Sequence, residues 1–143
     1  MLVRAILQQK GSDVTTIDGD ATVGEAAQLL AEARIGALVI AADRRVQGIL
    51  SERDIVRCLA ERGLDVLELP VRSLMTTVVT TCSPDESLDA LMAKMTELRV
   101  RHLPVLDDGR LSGIVSIGDV VKHRVEELQV EAQTLHDYIE TGR

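Results

Sequence analysis

Two short stretches of the chain hold the side chains best suited to chemistry. They read Gly48-Ile49-Leu50-Ser51-Glu52-Arg53-Asp54-Ile55 and Gly113-Ile114-Val115-Ser116-Ile117-Gly118-Asp119-Val120. In both, an aliphatic strand ends on a serine, and an aspartate follows three residues later in the first turn of a helix. A helix N-terminus offers N–H donors to an anion, and the serine hydroxyl adds another. A carboxylate at this place can accept both hydroxyls of a ribose diol, as carboxylates do in dinucleotide folds. The upstream glycine would let a ligand approach the backbone. Phosphate, ribose and a flat aliphatic slot together describe a nucleotide site. Serine and aspartate also make good helix caps on their own terms. One such stretch would be read as capping; two at matching places shift the balance toward a ligand.

The two stretches differ in their cations. Arg53 lies between Ser51 and Asp54, where the second copy has Gly118. Conversely, Arg101 and His102 stand where the first copy has Gly36 and Ala37. Each half therefore supplies a candidate phosphate-binding cation from a different element. The competing readings are an exposed helix charge for Arg53 and a strand-end packing residue for His102. His123 and His136 fall on the last helix and read as surface residues.

These stretches belong to a repeat. Shifted by 65 positions, Val14-Thr15-Thr16 falls on Val79-Thr80-Thr81, Asp20 on Asp85 and Thr22 on Ser87. Glu32 and Arg34 fall on Glu97 and Arg99 in the same register. Upstream, Val3-Arg4-Ala5-Ile6-Leu7 matches Val71-Arg72-Ser73-Leu74-Met75 at an offset of 68. Self-similarity at a fixed period marks a repeat architecture. Each half reads as a short strand (Val14 to Ile17, Val78 to Cys82), then a helix opening at Thr22 or Ser87. Thr22 and Glu25 have capping-box spacing. Two strands follow, Ala37–Ile40 with Val46–Leu50 and Leu103–Leu106 with Leu111–Val115, joined by Asp- and Gly-bearing turns. A second helix starts at Ser51 or Ser116, and Gly63 closes the first of these. Pro104 calls for an edge or a position without a ladder bond. The order is β-α-β-β-α, twice, an α+β fold with the first repeat over residues 1–66 and the second over 67–125. Residues 126–143 extend the last helix. There Val121, Val125, Leu128, Ala132, Leu135 and Ile139 form a heptad-like stripe, read either as packing on its own domain or as a self-association surface.

Composition narrows the partners. The chain has 143 residues, 45% of them hydrophobic, yet no Trp, no Phe and one Tyr. The core must be aliphatic, and recognition by base stacking on aromatic rings is disfavoured. A net charge of −7 disfavours a nucleic-acid backbone. Cys58 and Cys82 have no CxxC spacing and read as buried free thiols in a reducing compartment. No long apolar run suggests a membrane span or a leader, so a cytoplasmic location is expected. No triad, HExxH, Walker loop or paired carboxylates appear; an enzyme is not expected, and no catalytic cofactor or metal either.

The repeat resembles a tandem pair of cystathionine β-synthase (CBS) domains, a Bateman module. The resemblance rests on the two Gly-h-h-Ser-x-x-Asp-h stretches, where h is aliphatic. It rests also on the strand starts Ile35-Gly36-Ala37-Leu38 and Val100-Arg101-His102-Leu103-Pro104-Val105, and on the lead-in Val71-Arg72-Ser73-Leu74-Met75. Ser73 departs from the family's usual acidic residue, and Val3–Leu7 departs further, at Ala5 and Leu7. The resemblance implies two repeats packed sheet to sheet about a pseudo-twofold axis, with clefts that take AMP, ADP, ATP, NAD(H) or S-adenosylmethionine. It implies a sensor of energy or redox state, often a homodimer, that regulates an enzyme or transporter. Carried over by position, Ser51 and Ser116 contact phosphate, and Asp54 and Asp119 the ribose. Thr15, Thr16, Val79, Thr80 and Thr81 border the adenine edge. Ile35, Ile49, Val100 and Ile114 form the aliphatic sandwich, flanked by Gly36, Ala37, Arg101, His102 and Pro104. The alternative is an interaction module with vestigial clefts.

Overall fold

The computed structural model describes residues 1–141. Helix α1 (Val3–Lys10) leads into β1 (Thr16–Ile17), α2 (Val23–Ala33), β2 (Ala37–Ala42), β3 (Arg45–Ser51) and α3 (Glu52–Arg62). Two 3₁₀ turns, Leu64–Glu68 and Val71–Ser73, carry the chain to α4 (Leu88–Leu98), β4 (His102–Asp107), β5 (Arg110–Ser116) and α5 (Ile117–Thr141). The expected α+β order is therefore present in both halves. In the first half β1 runs parallel to β2, and β2 antiparallel to β3. In the second half the opening strand shrinks to one parallel bridge, Cys82 to Val105, beside the β4–β5 pair.

Local chemistry explains the boundaries. Thr22 Oγ1 accepts from Glu25 N at 3.1 Å while Glu25 returns a bond to Thr22 N at 3.0 Å, closing the capping box. Ser87 caps α4 by accepting from Ala90 N at 3.1 Å. Each hairpin turns on two residues of positive φ, Asp43 and Arg44 in the first and Asp108 and Gly109 in the second. That conformation is the two-residue turn that matches strand twist, and glycine suits it better than arginine does. Pro104 accepts from Cys82 N at 3.0 Å. Its nitrogen faces the same side, where pairing is a single bridge, so no ladder bond is lost.

The two halves exchange their lead-ins. Val71 packs into the first core with Val23, Leu30, Leu38, Ile40, Leu50 and Ile55. Val3 and Ile6 pack into the second core with Leu88, Leu91, Leu103, Val105, Val115 and Val120. The polar contacts repeat the exchange. Val71 N and Arg72 N donate to Ala21 O and Gly19 O, as Val3 N and Arg4 N donate to Glu86 O and Pro84 O. Arg72 pairs with Asp20 and Arg4 with Asp85, each at 2.7 Å. Corresponding residues thus meet across the two halves in pseudo-twofold fashion.

Helix α5 meets the core through a face other than the heptad-like stripe. Val120 and His123 turn inward and are 3% and 2% exposed, which corrects the surface reading of His123. Nδ1 of His123 has no hydrogen-bond partner among the described residues. The stripe from Val121 to Ile139 faces outward, with Val125 46% and Ile139 64% exposed.

Candidate functional site

Strand register sets both helix starts. Ala37 lies opposite Ser51, and His102 opposite Ser116. The residue before each strand accepts from the first helical N–H: Glu52 N to Gly36 O at 3.0 Å, and Ile117 N to Arg101 O at 2.8 Å. Each serine is an N-cap. Ser51 Oγ accepts from Asp54 N at 3.2 Å and donates to Asp54 Oδ2 at 2.9 Å; Ser51 N donates to the same oxygen at 3.0 Å. The second copy repeats this network at 2.8 to 3.3 Å. The cap uses one carboxylate oxygen in each copy and leaves the other outside the capping network.

The surroundings of the carboxylate, rather than its cap, separate the copies. Among the described residues, Asp54 Oδ1 faces only the exposed guanidinium of Arg57, at 3.6 Å. Asp119 is engaged by Lys10 from α1, whose Nζ lies 2.7 Å from Asp119 Oδ2 and donates to Ile114 O at 2.9 Å. Burial raises the Asp119 pKa, but the bonds from Lys10 and Ser116 outweigh it and hold the carboxyl below its ordinary value. At the matching place in the first half, Ile49 pairs with the backbone of Thr76 instead.

A cavity of about 340 Å³ opens at the first copy. Ser51, Arg53 and Asp54 border it from the first repeat, with Gly36, Ala37 and Ile49. Val79, Thr80, Val100, Arg101 and His102 border it from the second. Residues that the sequence assigns to different halves therefore share one cleft. Thr76, Val78, Glu52, Arg57 and Arg99 also line it; sequence reasoning missed them, although Arg57 stands one helical turn after Asp54. His102 reaches across the repeats, since a Cβ placed on Gly36 would lie 3.2 Å from its ring. Burial lowers the His102 pKa, with Lys10 and Arg101 adding to that and Glu52 and Asp119 opposing it. Its ring is neutral at pH 7.

Other predicted site residues lie elsewhere. Thr16 borders a separate hollow at the hairpin end with Asp13, Asp43 and Arg110. Ile35 lines a groove beside Ala27, Leu30 and Ile55. Pro104 is buried in β4 opposite Ile114. Thr15, Ile114, Ser116, Gly118 and Asp119 do not border the first cleft. The glycine argument needs correction. A Cβ on Gly48 would lie 2.6 Å from Met75 Sδ, and one on Gly113 would lie 2.7 Å from Leu7 Cδ2. The lead-ins cover these glycines, so the close approach there is made by the chain itself.

The CBS domain family model matches residues 3–61 and 71–126. The "CBS domain-containing protein CBSX3, mitochondrial" of Arabidopsis thaliana is 36% identical over 128 residues, covering 86% of this chain. The matched part spans 62% of that relative's length. Among solved structures, the CBS-domain containing protein ATU1752 from Agrobacterium tumefaciens superposes with a TM-score of 0.84 at 46% identity, covering 87% of this chain and 99% of that one. The CBS domain protein PAE2072 from Pyrobaculum aerophilum, complexed with AMP, gives a TM-score of 0.79 at 26% identity over 92% of this chain and 99% of that one. The family model takes in both repeats, including the crossed lead-ins, and on that ground the chain belongs to the CBS domain family as a tandem pair.

Proposed function

We propose that the chain is a regulatory module whose first cleft binds an adenosine-bearing ligand. The carrying observation is that a single cavity joins Ser51 and Asp54 to Val79-Thr80 and Val100–His102. In this reading Ile49 and Val100 enclose the adenine, and the backbone near Val79 and Thr80 reads its edge. Asp54 Oδ1 takes the ribose, and the phosphate lies toward Ser51 and the arginines. The AMP complex of PAE2072 supports the ligand class. The ligand acts by differential affinity for two arrangements of the repeats, which a partner protein reads; the chain regulates rather than catalyses. The outward stripe of α5 suits a second copy of the same helix, its apolar residues recurring at steps of three and four, so a homodimer belongs to this proposal.

Isothermal titration with AMP, ATP, NADH and S-adenosylmethionine tests the ligand. Binding of at least one, with Asp54→Ala weakening it more than inorganic phosphate, is expected. Silence from all of them at millimolar concentration overturns the proposal. One observation favours a second reading for the Ser116–Asp119 copy alone. Lys10 bonds the capping oxygen of Asp119 and offsets the charge of the carboxylate that would hold a ribose, as at a site that has turned structural.

A further inference from the structure

We infer that the first cleft is built for an adenosine ligand carrying at least two phosphates, an inference that rests on the adenosine reading above. Four guanidiniums line this one cleft, from Arg53 and Arg57 on α3 and from Arg99 and Arg101 at the junction of α4 and β4. Only two carboxylates, Glu52 and Asp54, line it with them. The chain carries a net charge of −7, so this concentration of positive charge runs against its composition. Arg4, Arg72 and Arg124 each pair with a carboxylate elsewhere. Arg53, Arg99 and Arg101 have no such partner within ion-pair distance among the described residues.

Size points the same way. A cavity of about 340 Å³ lies at the small end of the roughly 300–1,000 Å³ of ligand sites. It suits a nucleoside, and it leaves the phosphate chain at the mouth, where all four arginines are exposed. One terminal phosphate offers three strong acceptor oxygens. Each guanidinium brings five N–H donors in a fork that fits two oxygens at a time. A single phosphate therefore engages about two forks and leaves the others repelling one another. A second phosphate supplies the missing acceptors and charge. The second half keeps only part of the set: at the shifted positions Gly118 replaces Arg53 and Gly36 replaces Arg101, while Lys122 and Arg34 stand at those of Arg57 and Arg99.

Magnesium-free titration of the full chain with adenosine, AMP, ADP, ATP and NADH is the test. Affinity should rise about tenfold from AMP to ADP, the size of one added charge-assisted contact, and fall more steeply with salt for ADP. NADH binding like ADP means that a bridging diphosphate suffices. NADH binding like AMP, with ADP and ATP tight, means that a free terminal phosphate is required. Arg53→Ala and Arg101→Ala, with unchanged melting temperatures, should reduce ADP affinity to that of AMP while moving AMP less than threefold. AMP binding as tightly as ADP and ATP, or equal losses for AMP and ADP in the arginine variants, overturns this inference while leaving the adenosine reading intact. No binding by any of the five, with S-adenosylmethionine silent as well, overturns the adenosine reading itself.

Discussion

Lys10→Met separates the two Ser-x-x-Asp copies most sharply. In the wild type, Lys10 Nζ is a third donor to Asp119 Oδ2, at 2.7 Å, alongside two bonds from Ser116. The side chains are 29% and 20% exposed. An open surface pair contributes about 0.2–1 kcal/mol. A hydrogen bond to a charged group in partial shelter contributes about 1.5–3 kcal/mol. A ribose that takes Asp119 Oδ2 as well as the open Oδ1 must displace this contact, which weakens binding at the second copy by about ten- to a hundredfold. Calorimetry on the wild type should show one tight event per chain and a second weaker by that factor. In Lys10→Met, which keeps a long apolar stem, the second event should tighten toward the first. Folding stability supplies an independent readout. The Asp119 pKa is held below its ordinary 3.8, so its contribution is fully present above pH 3.8 and is lost as pH falls through the lower folded value. Lys10→Met should therefore melt lower than wild type at neutral pH, with the gap closing in strong acid. Loss of the second binding event in Lys10→Met would show that the lysine holds ligand rather than excluding it. Unchanged affinities would refute any role.

Three further outcomes follow from packing and ionisation. Gly48→Ala places a methyl 2.9 Å from Thr76 O and 2.6 Å from Met75 Sδ, so urea unfolding should show a loss of about 1–3 kcal/mol. Gly118→Ala meets nothing closer than 3.6 Å and should gain up to about 1 kcal/mol from helix propensity; equal effects would contradict the crowding. Burial, with Glu86 adding to it, pushes the Cys82 thiol up to about 12. In a Cys58→Ala chain at pH 8, a disulfide reagent should therefore react only after unfolding, and rapid labelling of native protein would be inconsistent with that burial. His102 has a folded pKa below the ordinary 6.5, so its contribution is present above pH 6.5 and is lost as pH falls toward the folded value. His102→Gln should be less sensitive than wild type to acidification from pH 6.5, and parallel curves would reject the shift.

Much of this was legible in the residues. Matching apolar and turn positions at the 65-residue offset exposed the repeat, because strand, turn and cap signals are local. Thr22 with Glu25, and each Ser-x-x-Asp, formed the capping contacts that their spacing required. Long-range placement was not legible. Nothing local indicates that Val71 belongs in the first core and Ile6 in the second, or that Lys10 reaches Asp119 across 109 positions. The outward stripe of α5 showed the same difficulty. Its periodicity marks a face, but Val120 and His123 on another face are the residues that meet the core. Arg99 and Arg101 join Ser51 only because the repeats meet across the cleft.

The exchanged lead-ins bear on how such a molecule could have arisen. A single repeat carries a lead-in that fills the core of another repeat rather than its own, as Val71 does for the first half and Val3 with Ile6 do for the second. One copy alone would leave its own core unfilled and its lead-in without a socket. Two identical copies could close the exchange reciprocally, in the manner of a domain-swapped pair. Duplication and fusion of such an ancestor would preserve every contact while freeing the halves to diverge. The first cleft could then gather arginines from both repeats while Lys10 came to lie against Asp119. Fusion would also bind the two halves into one unfolding unit, since neither core can be completed before the other half has arrived.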